Sequence, residues 1–363
     1  MAISTIDNNG VNLGQLGSRN IVTNGSMQVS QRSTSETGLS STNSYKTIDR
    51  YTTYISSLGT WTQSQDTDAP SGFGHSLKML CTTADASPAS TNRMLIQTKI
   101  EGQDIQSLGF GDTSNTYTVS FYVKSNVTGT YILEQLGGTA SATGHQISTP
   151  YTVNNVNTWE RKTITLNVDS GAMTSDNTSG LTLSFWLGTG SSYSSGTLST
   201  SWSSSGAANR AVGQVNLASA TNNYWQITGL QLEVGDTATP FEHSRSYGEE
   251  LAKCQRYYYR DNIASNDHAL STQANWNTTH FFGPYYMPVT MRANPTGSYS
   301  ALSNFTLYQN SQTRTLTSLS FGASTSLNSR ELTSHVSSSI TPQGGAGWLR
   351  GQGTGWIALD AEL

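Results

Sequence analysis

The side chains able to do chemistry are few and dispersed. Six histidines, His75, His145, His243, His268, His280 and His335, show no pair at metal-ligand spacing. No GxSxG, HExxH or phosphate-loop pattern occurs. Glycoside cleavage needs two carboxylates flanking the scissile bond. Glu101 and Asp104 in IEGQDIQ are close in sequence, but the segment also reads as a turn after a strand. The residues therefore point away from an enzyme and from any cofactor, and toward binding. Sugars stack their apolar ring faces on aromatics and hydrogen-bond to Asn, Asp and Gln. Trp202, with Tyr193 nearby, sits in SSYSSGTLSTSWSSSG, and Trp276, Tyr285 and Tyr286 sit among Asn and Pro. These five are the candidate glycan-binding residues. Each has a plain alternative, an aromatic packed under its own loop.

The elements that must position them are strands. Charged residues make up 12% of the 363 residues, well below the usual quarter, while Gly numbers 34 and Tyr 17. A chain rich in Ser, Thr, Tyr and Gly favours strands and turns over helices. Aromatics at 9% and a net charge of −4 exclude a disordered composition. No Lys/Arg run gives the electrostatic footprint of a nucleic-acid binder. No stretch reaches a membrane span, and MAISTIDNNGVNLGQLG lacks the basic region and apolar core of a secretory signal. Cys81 and Cys254 cannot build a disulfide framework and read as two thiols.

Period-two alternation marks antiparallel strands with one buried face. In TYTVSFYVK, Tyr117, Val119, Phe121 and Val123 share a face; in LTLSFWLG, Leu181, Leu183, Phe185 and Leu187 point inward and Thr182, Ser184 and Trp186 outward. KTITLNV repeats the pattern. In YWQITGLQLEVG the apolar parity switches at Thr228-Gly229, which predicts a β-bulge with Gly at the bend. The fold class expected is all-β: an antiparallel jelly-roll sandwich, a short helical joint and a second, smaller β-sandwich domain. The boundaries are an arm over 1–19, a first domain over 20–243, the joint over 244–258 and a last domain over 259–363.

The joint is the one clear helix signal. Ser246 and Glu249 form a capping-box pattern, and Tyr247, Leu251, Cys254 and Tyr258 make one apolar stripe. A helix of about a dozen residues is marginal alone. The spacing is compatible with packing on its own chain or with a seam between copies.

The segments RNIVTNGSMQVSQR, DRY, SGFGHSLKM, IEGQDIQSLGFG, SFYVKSNVTGTY, NTWERKTITL and ITGLQLEVGDTATPFEHSRSYGEELAKCQRYYYR occur in this order over residues 19–260. In this the chain resembles a family of phage tail-fibre and related virion proteins common in phages of marine bacteria and cyanobacteria. One departure is Ser244 between His243 and Arg245, where the family has His and Arg adjacent. The first domain also resembles galactose-binding-like jelly rolls of carbohydrate-binding modules. Those open on an Asn-Gly pattern like Asn24-Gly25 and close on a strand like Leu230–Val234. Some hold calcium between these ends, which makes Asn24 and Glu233 weak calcium candidates, although Thr228-Gly229 stands where paired acids often sit. The family resemblance implies a homotrimer with Tyr247, Leu251, Cys254 and Tyr258 at its interface.

The function expected is therefore a virion structural protein, a trimeric tail fibre that attaches to a host-surface glycan. Residues 1–19 would bind another virion protein. The alternatives are a capsid-borne fibre or knob, a capsule depolymerase and a free carbohydrate-binding module. Nucleic acid and membrane insertion are not expected partners.

Overall fold

Alternating sequences need partners across the ladder before they bury anything, and strand pairing supplies them. The structure is a computed structural model that describes residues 19–137, 144–171, 173–244, 246–322, 326–339 and 343–363. The proposed virion-binding arm, except for Arg19, lies outside the described residues, as does Arg245. The chain divides into two compact units, one running to Glu250 and including Leu363, the other Leu251–Glu362. No helix among the described residues is long and apolar enough to cross a membrane.

The first unit contains β1 (Ser35–Tyr45), β2 (Tyr51–Asp66), β3 (Ser76–Thr83), β4 (Arg93–Glu101), β5 (Thr116–Ser125) and β6 (Gly129–Gly137). It continues with β7 (His145–Val153), β8 (Glu160–Asn167), β9 (Ser179–Thr189), β10 (Ser203–Ser204) and β11 (Tyr224–Val234). All pair antiparallel in the order β10-β7-β6-β9-β4-β2-β3-β11-β5-β8, with β1 on β2. The sheet turns back on itself through β2. Its first half, Tyr51–Ser56, pairs with β4, and its second half, Thr60–Asp66, pairs with β3. The two layers so formed meet across an aromatic core. Phe121 of β5 stands edge-on to Phe185 of β9 at 5.2 Å and to Tyr151 of β7 at 5.1 Å. This is the antiparallel jelly-roll sandwich expected from the alternation.

Two local readings can be checked here. β11 pairs with β5 in register up to Thr228 and resumes at Gln231, so the bulge falls where the parity switches. Gly229 takes φ 62, and a Cβ there would meet the Phe73 ring at 2.7 Å. The outward face of β9, by contrast, is not exposed. Residues 191–216 fold back across it as a strap. Trp186 is fully buried on that side beside Tyr193, Leu198 and Ala211. Glu134 on β6 fastens the strap. Its carboxylate accepts from Arg210 Nε at 2.5 Å and Nη2 at 2.8 Å, and from Trp186 Nε1 at 3.0 Å.

Helix α1 (Tyr247–Gln255) begins at Ser246, whose Oγ accepts from the Glu249 amide at 3.2 Å. Glu250 in its first turn is buried and accepts hydrogen bonds from the Asn24 amide and the Ser244 hydroxyl. The first turn of the helix is thus tied to the Asn24-Gly25 turn.

The second unit contains β12 (Tyr258–Asn262), β13 (His268–Asn275), β14 (His280–Tyr286), β15 (Thr296–Tyr299) and β16 (Phe305–Gln309). β17 (Gln312–Phe321), β18 (Ser329–Val336), β19 (Ala346–Gly351) and β20 (Trp356–Asp360) complete it. The expected second β domain is present, but in detail it differs from a sandwich. Six strands close into a barrel, β13-β14-β18-β17-β16-β19, and β12-β20-β15 form a separate three-stranded sheet. Alternation alone does not separate the two outcomes, because both bury every second residue; closure depends on the β13–β19 pairing, more than seventy residues apart in sequence. Phe281, Phe305, Leu307, Leu332 and Leu349 fill the barrel.

Two substitutions test these ties. Gly229→Ala is expected to cost about 1–3 kcal/mol in urea unfolding, because the bulge requires left-handed backbone. Glu134→Ala is expected to cost about 3–5 kcal/mol, because it strands the Arg210 guanidinium against the sheet.

Candidate functional site

The five aromatic candidates separate into three environments. Tyr193 packs on Trp186 at 5.6 Å, and the Arg93 guanidinium lies 4.5 Å from its ring. Trp202 donates from Nε1 to the Asn167 carbonyl at 2.9 Å and stands edge-on to Phe110. Both are half-buried supports of the strap. Tyr285 is 3% exposed and donates to Asp261 at 3.2 Å. Only Trp276 and Tyr286 are open, at 66% and 71% exposure. Tyr285 and Tyr286 differ for the simplest reason: neighbours on a strand face opposite ways, and β14 turns Phe281, Gly283 and Tyr285 into the barrel.

The same parity turns Phe282, Pro284 and Tyr286 outward, and here the barrel opens a groove. β13 and β14 pair only at Ala274 with Phe282 and Asn275 with Phe281. Pro284 has no amide hydrogen with which to extend the ladder. Instead its carbonyl accepts from Ser271 Oγ at 2.7 Å. Gly283 lies so close to β13 that a Cβ would sit 2.1 Å from the Thr272 carbonyl oxygen, so only glycine fits. Over this join lies a shallow groove of about 500 Å³, floored by Thr272, Ala274, Gly283 and Ala346 and bounded by Phe282, Pro284 and Glu331. Trp276 stands edge-on to Phe282 at 5.9 Å. Across β13, Trp348 is the register partner of Thr272 and is 49% exposed. Tyr308 at 6.1 Å and Arg350 at 5.3 Å hold its indole from the β16 side. Arg350 in turn pairs with Asp267 at 3.0 Å. Of the charged residues lining the groove, Glu331 is exposed, whereas Arg330 is buried and bonded to Asn294.

Sequence reasoning missed Phe282 and Trp348. Phe282 carried a usable signal, since FFGPYY alternates, but Trp348 needs the β13–β19 pairing to bring it near. It also missed a histidine pair. His280 and His335 are 55 residues apart yet directly opposite on β14 and β18, with ring centroids 3.7 Å apart. Asn277 Oδ1 accepts from the Thr279 and His280 amides, and His280 Nδ1 lies 2.9 Å from that oxygen and 3.0 Å from the Thr279 hydroxyl.

The other named residues take structural places. Glu101 is fully buried and accepts from Gln103 at 2.7 Å, while Asp104 is exposed in the 3-10 turn that follows β4. Asn24 spends its carboxamide on Val29 and Asp49, and Glu233 accepts from Gln231 and Thr239. These calcium candidates are committed to protein hydrogen bonds. Among the described residues, no three His, Cys, Asp or Glu side chains gather to hold a metal. Along the proposed trimer stripe, Cys254 and Tyr258 are buried in the single chain, Leu251 is half-buried and Tyr247 is 55% exposed. No disulfide joins Cys81 and Cys254.

No protein-family model matches the chain, and no curated protein does. Among solved structures it is similar to the enzymatically active domain of tailspike protein 4 from bacteriophage CBA120, at 12% identity and TM-score 0.33, over 60% of this chain and 21% of that one. It is also similar to the C-terminal family 22 carbohydrate-binding module of Clostridium thermocellum Xyn10B, at 12% identity and TM-score 0.31, over 53% and 91% of the two chains. A third is TmCBM61 in complex with beta-1,4-galactotriose, at 10% identity and TM-score 0.28, over 61% and 100%. Likeness at this level carries no argument about ligand or assembly, and the fold stands on its own strand pairing.

The histidine pair is expected to make the barrel acid-sensitive. Burial and the facing His280 hold His335 below its ordinary value of 6.5. The unfolded chain then takes up the proton at higher pH than the folded one, so stability is present above about 6.5 and falls as pH drops below it. Thermal unfolding at pH 7.5 and 5.5 is expected to show a larger acid loss for the natural chain than for His335→Asn. Equal losses would remove the pair from this account.

Proposed function

We propose that the chain is a glycan-attaching fibre protein of a phage virion, and that the outer groove of the barrel is where the glycan lies. The observation that carries this reading is the groove itself. Its lining is rich in small residues and carries exposed Phe282, Trp276 stands against Phe282, exposed Tyr286 shares the outward face of β14, and exposed Trp348 lies one strand over, opposite the lining residue Thr272. Exposed aromatics held in place by their neighbours offer flat apolar faces to sugar rings at little entropic cost. The jelly roll adds a scaffold: the strap covers the outward face of β9, and the aromatics expected to bind there support the strap. The virion role and the homotrimer rest on the ordered motifs of residues 19–260. Binding without catalysis fits the full burial of Glu101, which withholds its carboxylate from a bound sugar.

The test is a glycan array probed with the full chain, followed by titration of the best ligand. Trp348→Ala and Phe282→Ala are each expected to weaken binding about tenfold, the loss of one stacked ring. Trp202→Phe, away from the groove, is expected to leave it unchanged. Binding that ignores both groove variants would move the site elsewhere.

A further inference from the structure

We infer that the barrel groove takes a linear glycan without negative charge, laid diagonally across β19, β13 and β14, with sugars two units apart stacked on Trp348 and Phe282. This rests on the glycan reading above and names the class of ligand.

The spacing comes from strand register. Trp348 is opposite Thr272, and Phe282 is opposite Ala274. The two aromatics are thus separated by two inter-strand steps and offset by two residues along the strands. With strands about 4.8 Å apart and residues rising about 3.4 Å, their Cα atoms lie roughly 12 Å apart on the flattened sheet. That is close to the repeat of two linked pyranoses, so an extended chain can meet both rings while the sugar between them crosses the floor. The floor permits this because its outward residues, Thr272, Ala274 and Ala346, are small and Gly283 has no side chain.

The charge follows from Glu331. Its carboxylate is exposed at the groove, where it can accept hydrogen bonds from sugar hydroxyls. The cations nearby are already partnered: Arg330 is buried and bonded to Asn294, and Arg350, which lies beside the Trp348 indole, pairs with Asp267. An acidic sugar would therefore bring a like charge to Glu331 with no outward cation from the lining to offset it.

The test is calorimetric titration of the full chain with linear gluco-, galacto- and manno-oligosaccharides of two to six units, and with oligogalacturonates of the same lengths. For the neutral series that binds, affinity is expected to rise about tenfold between two and four units and then level. Trp348→Ala and Phe282→Ala should each flatten that rise. Oligogalacturonates should bind about tenfold more weakly than the neutral series, and Glu331→Gln should close the gap. Neutral binding without a length step, or acidic oligomers bound as tightly as neutral ones, overturns this inference and leaves the glycan-binding reading standing. Failure of every oligosaccharide, with no hit on the array, overturns both.

Discussion

The first unit depends on one strand serving two layers. β2 is 16 residues long and changes partner midway, from β4 to β3. Without that change the strands would form one broad open sheet with an apolar face in water. With it, Phe121, Phe185 and Trp225 close on one another from both sides. A chain with so few charges and so many hydroxyls has little else to hold it. Its outward positions form side-chain hydrogen bonds of modest worth, and the aromatic core supplies the stabilisation.

A second constraint is that a sandwich has outer faces too. On β9 nine consecutive residues, from Gly180 to Gly188, are buried, which is how a strand covered on both sides behaves. The covering strap is polar and Ser-rich, so it has little apolar surface of its own. It is held by the Glu134–Arg210–Trp186 cluster, a buried carboxylate whose donors all come from specific places in the fold. Such a cluster fixes one arrangement, because any other leaves the charge without partners. The cost is that Tyr193 and Trp202, apparently displayed by their loop, become part of the fastening.

The barrel solves the edge problem by closure and then reopens it locally. A six-stranded barrel has no free edge, yet the ladder between β13 and β14 lasts only two pairs. Pro284 ends it for want of an amide hydrogen, and Gly283 lets the backbones touch where a side chain could not fit. The result is a groove bounded by rigid strands rather than by loops, which keeps its aromatic walls fixed in spacing.

Much of the fold was legible in the sequence because period-two alternation is a local property. Thr116–Ser125, Glu160–Asn167 and Ser179–Thr189 are strands where the pattern put them, the bulge lies at the parity switch, and the Ser246 cap starts the helix. The site was only half legible. The sequence marked Trp276 and Tyr286 as aromatics in polar surroundings, and both are exposed. It marked Tyr193, Trp202 and Tyr285 by the same rule, and tertiary packing spends them inside. It was silent on Trp348, on the His280–His335 pair and on barrel closure, since each joins residues tens of positions apart. What the sequence by itself determined is which side chains share a face of a strand, because backbone geometry repeats every two residues. Which face meets water, and which strands stand side by side, was decided only when distant segments competed for the same partners.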